Sequence, residues 1–224
     1  MSKQVVVIAP HPDDETLGCG GTLLKHVNSG DRIHWVIFTK ARVEDGFSPR
    51  LIDKRIEEIA QVAAVYPFSS VHKLDFPAAK LDTVALGEMV QQLSTVFKQL
   101  QPEIVYLPYP GDVHSDHKMV FDATIACTKW FRYPGIERIL VYETLSETEF
   151  GINPDLNGFR PNVFMDISAF LEQKIQIMSM FESEIGEFPF PRSEQSIKSL
   201  AAFRGSASGC EAAEAFMLLR EVIR

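Results

Sequence analysis

The chain has 224 residues, 46% apolar and 23% charged, the make-up of an ordinary folded protein, which excludes a disordered, fibrous or coiled-coil chain. At roughly 150 residues per domain the length lies between one domain and two, and it is enough for one large core without staples. Lys and Arg number 22 against 30 Asp and Glu, and the net charge of −8 argues against nucleic acid or an anionic membrane as the main partner.

Residues 5–9 (VVVIA) have the pattern of a strand buried on both faces. A turn punctuated by Pro and Gly follows, and residues 20–28 predict a helix that ends at Gly30. Residues 33–39 read as the next strand. Residues 49–65 have helical spacing, with Leu51, Ile52, Ile56, Ile59 and Val62 on one face. A short strand over 71–75, an amphipathic helix over 84–100, a buried strand over 103–108 and a helix over 117–130 come next. Residues 138–143 and 163–167 read as two more strands, candidates for antiparallel or edge positions. Helices are expected over 168–182, 193–203 and 211–223.

Strands alternating with helices in this way imply βαβ units and an α/β fold: a Rossmann-like, doubly wound and mostly parallel sheet with helices on both faces. No repeat, low-complexity stretch or linker interrupts it, so residues 1–224 are expected to form a single domain. In such sheets ligands bind beyond the carboxyl ends of the strands, at the switch point. That directs attention to the loops after residues 5–9 and 103–108.

The first loop reads Pro10-His11-Pro12-Asp13-Asp14-Glu15-Thr16-Leu17-Gly18-Cys19-Gly20-Gly21. Gly18 and Gly20 have dinucleotide-loop spacing, but Leu23 occupies the third position and three carboxylates crowd the place of a pyrophosphate, so nucleotide binding is rejected. A metal suits these residues better. His11 offers an imidazole and Asp14 a carboxylate, with Asp13 between them free to point elsewhere. The second loop, Asp112-Val113-His114-Ser115-Asp116-His117, adds two imidazoles and two carboxylates. Two His and one carboxylate with water in a fourth position make an open catalytic zinc site, and the spare His and carboxylates are left for acid–base work. Asp14 and Thr16 are also competent helix N-caps, and it is the pairing of two His- and Asp-rich loops at strand ends that favours the metal.

PHPDDE after a buried strand, with HSDH about a hundred residues later, resembles the LmbE-like (PIG-L-type) zinc de-N-acetylase family. Weaker support comes from Arg204-Gly205 through Gly209 to Ala213-Glu214-Ala215-Phe216, and from Arg55-Ile56-Glu57-Glu58. The resemblance implies removal of acetyl from a small N-acetylglucosamine-type sugar conjugate. It implies that His11, Asp14 and His117 bind zinc, and ferrous iron suits the same donors. It makes Asp13 the general base, and His114 the group that binds the oxyanion as an imidazolium and protonates the leaving amine, with Asp116 orienting it. Arg55 becomes a substrate contact, against an intrahelical pair with Glu58. A homo-oligomer is compatible with the family. The rival readings are hydrolysis of a different sugar-linked amide, and a non-catalytic sugar- or metal-binding protein on the same scaffold, although every catalytic position of the motif is filled.

Other residues read as structural. His26, His34 and His72 stand singly, Cys19 needs only to be small, Cys127 reads as core, and Arg204 as a cap or surface ion pair. Glu15 is either a partner of a ligand or a helix N-terminal acid. Phe181, Phe188 and Phe190 read as core or an oligomer contact. No Gly-x-Ser-x-Gly elbow points to a serine hydrolase. Three distant cysteines without a CxxC predict no disulfide framework and fit a cytoplasmic protein. No signal-type leader and no transmembrane segment is expected. The polar loops at 40–49, 146–160 and 182–193 are expected to shape the substrate pocket.

Overall fold

The apolar run 5–9 can be satisfied on both faces only inside a covered sheet, and that is where it lies. In the computed structural model, which describes residues 2–152 and 158–223, the first half runs β1 (Gln4–Ala9), α1 (Asp14–Asn28), β2 (Arg32–Lys40), α2 (Pro49–Val65), β3 (Ser70–Pro77), α3 (Leu86–Leu100) and β4 (Ile104–Pro108). The second half runs α4 (Ser115–Ala126), β5 (Arg138–Tyr142), β6 (Val163–Asp166), α5 (Leu171–Met178), α6 (Glu194–Ser208) and β7 (Ala213–Glu221). Among the described residues the strands form one sheet in the order β3-β2-β1-β4-β5-β7-β6. The first five are parallel, and β7 runs antiparallel to both β5 and β6. Val5, Val7 and Ala9 face a core shared with α1, α2 and α5, while Val6 and Ile8 face a second core built with α3 and α4. This is the doubly wound α/β architecture expected from the sequence. Strand order reverses between β1 and β4, so the loops leaving these neighbours open into one crevice. No helix among the described residues is long and apolar enough to cross a membrane.

Several elements differ from expectation. Helix α1 starts at Asp14 rather than Gly20, taking the glycines into its interior. They belong there because the helix lies close on its neighbours: a Cβ at Gly18 would collide with the Tyr142 ring, and one at Gly21 would come within 2.7 Å of Ile167. Helix α5 is shorter than 168–182, and α4 stops short of 130. Strand β6 is the expected antiparallel edge, whereas β5 is interior and parallel to β4. The helix expected over 211–223 is instead strand β7. Ala, Glu, Met and Leu favour helix intrinsically, but the slot between β5 and β6 overrides that preference once Gly209, at φ 80°, has ended α6.

Strand β7 also fastens α1. The buried Glu214 carboxylate accepts the mid-helix amides of Gly21 at 2.9 Å and Thr22 at 2.7 Å. The Leu17 carbonyl, one turn earlier, accepts from Lys174 Nζ at 2.8 Å, and Lys174 pairs with Glu214 at 2.6 Å. The ion pair is thus inserted into the hydrogen-bond ladder of the helix that begins with Asp14. Replacing Lys174 by Met leaves Glu214 buried without its counter-charge, with an expected loss of about 3–5 kcal/mol in denaturant unfolding. A variant as stable as the parent would show that the pair holds nothing together.

Candidate metal centre

The chain leaves β1 through Pro10-His11-Pro12 and turns at Asp13, whose φ of 127° is unusual for a residue with a side chain. The turn is held on both sides. The Asp13 carbonyl accepts the Thr16 and Leu17 amides that open α1, and its amide donates to Glu15 Oε2 at 3.1 Å. Glu15 is buried, accepts from the Thr16 hydroxyl at 2.7 Å, and is pushed up to about 8 by burial. It braces the loop from beneath.

Asp14 is the first residue of α1, and its Oδ2 accepts the His11 amide at 2.8 Å. The same oxygen lies 3.3 Å from His11 Nδ1 and 3.4 Å from His117 Nε2, so three expected ligands converge. Each imidazole is gripped from behind. Asp116 Oδ2 meets His11 Nε2 at 3.0 Å, and Asp112 Oδ2 meets His117 Nδ1 at 2.7 Å. Asp116 is itself fixed by the amides of Ala79 and Leu81, and Asp112 by the Thr148 hydroxyl at 2.6 Å. A carboxylate behind each histidine orients the ring and makes it a better donor toward a metal. His117 Nε2 is buried and has no hydrogen-bond partner among the described residues. An unpartnered, aimed imidazole nitrogen beside a carboxylate oxygen is what a cation would satisfy, so these residues fit a metal.

The electrostatics agree. Burial opposes charge on His11, yet hydrogen bonds to Asp116 and Asp14 raise it to about 9. His117 is likewise raised against burial by the Asp14 charge and the Asp112 bond. Burial works the other way on Asp14, but the His117 charge and the His11 hydrogen bond hold its carboxyl well below the usual range. The carboxylates therefore create a place where positive charge is favoured.

Asp13 lines the cleft without joining the converging ligands; its Oδ2 lies 3.6 Å from Arg192 Nη1. Burial and the adjacent Asp14 charge push it up to about 7, against Arg192 and Arg55. His114 caps α4, its Nδ1 accepting the Asp116 amide at 3.1 Å. Asp116 and His114 meet here. The Asp116 carboxylate hydrogen-bonds to His11, and the Asp116 backbone amide donates to His114 Nδ1. The neutral His114 ring, with Nδ1 accepting, carries its proton on Nε2, a tautomer assigned from that hydrogen bond. An imidazolium would set two protons face to face, and burial beside His11 lowers His114 to about 4.

Arg55 lines the cleft, with Nη1 at 3.4 Å from the Pro12 carbonyl and 3.8 Å from Glu58, and it pairs with Glu184. Arg55 thus faces the cleft while also lying beside Glu58 of its own helix. Arg192 bonds to Glu184 at 2.8 Å and joins Asp13 to the 182–193 loop. Neither Arg192 nor Glu184 carries any motif signal, and the partners of Asp112 are equally hidden. The loops at 40–49, 146–160 and 182–193 each reach the cleft, through Lys40 and Phe47, Glu147, and Glu184 and Arg192; residues 153–157 of the second lie outside the described residues. The cleft has a volume of about 510 Å³. Elsewhere Arg204 forms a two-pronged pair with Glu143, Cys19 and Cys127 are core, and His26 and His34 are held by polar neighbours. Phe181 is core, while Phe190 is exposed beneath the Arg192 guanidinium.

Comparison with known proteins places the chain in a family. Residues 6–128 match the family model described as PIG-L, GlcNAc-PI de-N-acetylase. The diacetylchitobiose deacetylase of Thermococcus kodakarensis is 29% identical over 228 residues, covering 95% of this chain and 81% of that protein. The uncharacterized deacetylase YaiS of Escherichia coli is 31% identical over 151 residues, covering 64% of this chain and 75% of that one. A conserved protein of Thermus thermophilus, of solved structure, superposes with a TM-score of 0.78 at 26% identity, covering 99% of this chain and 97% of that one. With the matched segment containing both histidine loops, the chain belongs to the PIG-L (LmbE-like) family.

Proposed function

We propose that this chain is a metal-dependent hydrolase that removes the acetyl group from an N-acetylglucosamine-type sugar conjugate, releasing acetate and a free amine. The observation that carries this reading is the convergence of His11 Nδ1, Asp14 Oδ2 and the unpartnered His117 Nε2 beside Asp13, a carboxylate outside the ligand set. The deacetylase names of the relatives support it. Two imidazoles and one carboxylate suit zinc, and ferrous iron shares that preference. Such an ion would supply Lewis-acid polarisation of the acetamide carbonyl and a water acidic enough to ionise near neutral pH.

The residues around it divide the remaining work. Asp13 takes the proton from the attacking water as the new C–O bond forms. His114 donates its Nε2 proton as a hydrogen bond to the oxygen that becomes negative in the tetrahedral state. The C–N bond then breaks, and the proton held by Asp13 passes to the departing amine. The His114 geometry supports giving that last transfer to Asp13, because its Nδ1 accepts an amide proton and the ring has only the Nε2 proton to offer. Arg55, tied to Glu184 at the cleft wall, contacts the sugar conjugate.

Asp13→Asn is expected to lower kcat by about a hundredfold or more while zinc content by elemental analysis stays unchanged. Loss of zinc with activity per bound metal retained would move Asp13 into the ligand set. Asp112→Ala frees the back of His117 and is expected to weaken zinc affinity by about 10–100-fold in competition with a chromogenic chelator. Parental affinity in that variant would mean that Asp112 does not hold the ligand.

A further inference from the structure

The sequence places Leu51, Ile52, Ile56, Ile59 and Val62 on one face of α2, as a core-facing stripe would be. Only its second half is used that way: Ile59 and Val62 are buried in the core, whereas Leu51 and Ile52 are half-buried and Ile56 is 50% exposed. The first half lines the cleft that also holds His11 and Asp13. The cleft is also lined by Ile37, Ala78 and, from the loop before the helix, Phe47. From Leu51 to Ile56 the helix rises about 7.5 Å, more than an acetyl group needs. Arg55, the charged residue within this strip, is paired with Glu184.

An apolar strip left to water is unfavourable and marks a surface that something covers. Its setting decides what. The strip is inside a cleft of about 510 Å³ whose other lining includes the metal-binding loop, a size and shape for a small molecule rather than a flat protein face. The proposed function assigns acetyl to the acyl side of the amide, so the extra apolar length serves the amine side. Resting on that function, we propose that the substrate carries an apolar aglycone, an aryl or alkyl group that lies along α2 against Leu51, Ile52 and Ile56 while the acetamide reaches the metal ligands. These three side chains are then determinants of specificity rather than parts of the core.

The test compares acetate release by the zinc-loaded protein from the methyl, butyl and phenyl glycosides of N-acetylglucosamine. The expected kcat/KM for the butyl and phenyl compounds exceeds that for the methyl compound by roughly tenfold or more, the scale of discrimination that an apolar pocket achieves. In Ile52→Ser and Ile56→Ser the ratio of phenyl to methyl falls toward one. The ratio is internal to each variant, so partial loss of folded protein does not mimic the effect. Equal rates on all three glycosides overturn the proposal and leave the deacetylase reading standing. So does a preference that survives both substitutions. Faster hydrolysis of the N-butyryl than of the N-acetyl methyl glycoside would assign the strip to the acyl side instead. A drop in molecular mass of Ile56→Ser by light scattering would assign it to a second copy of the chain. No acetate from any glycoside with zinc bound overturns the deacetylase reading, and this proposal with it.

Discussion

Asp112 and Asp116 hold the far nitrogens of His117 and His11, and the rest of the site depends on that hold. An imidazole can present either nitrogen and rotate about two bonds, so a histidine near a metal site is not yet a ligand. With one nitrogen bound to a fixed carboxylate, only the other can face Asp14, and its ring plane is set. The carboxylates are fixed in turn by the Thr148 hydroxyl and by the Ala79 and Leu81 amides. Preorganisation thus runs outward from His11 and His117 into the loops after β3, β4 and β5. The same negative charges that orient the rings make the centre favourable for a cation.

Placement of Asp14 depends on α1, whose close approach to its neighbours is made by glycines and completed by the far end of the chain. Strand β7 contributes Glu214, which takes two amides from the middle of α1, and Lys174 of α5 takes the carbonyl between them and the metal loop. Helix α1, the second element, is thus fastened by β7, the last. This gives the segment around Ala213-Glu214-Ala215-Phe216 a physical task, although it contributes no group to the cleft near Asp13. Asp13, held in an unusual backbone conformation between β1 and α1, is where the packing of these elements meets the chemistry.

Much of this is legible in the sequence. Buried runs at 5–9 and 103–108 announce adjacent parallel strands, and the density of His and Asp just beyond them announces the centre. The pairing of particular carboxylates with particular rings is not legible. Asp116 is one residue from His117 and two from His114, yet its carboxylate reaches His11, more than a hundred residues away in the chain. Arg192 and Glu184 are hidden for a similar reason, since a loop arriving from elsewhere carries no local pattern. Strand β7 reads as helix because its residues favour helix until a strand slot competes for them. The stripe on α2 reads correctly as apolar, but periodicity does not say whether an apolar face meets a core or a ligand.

The central claim is that the convergent donors hold a metal on which hydrolysis depends. It is tested most directly by stripping the protein of metal and adding zinc in steps while acetate release from an N-acetylglucosamine glycoside is followed. Release should start near background and rise to a plateau at about one equivalent per chain, as an open three-ligand site requires. Release at the full rate from metal-free protein, unchanged by added zinc, would contradict the account.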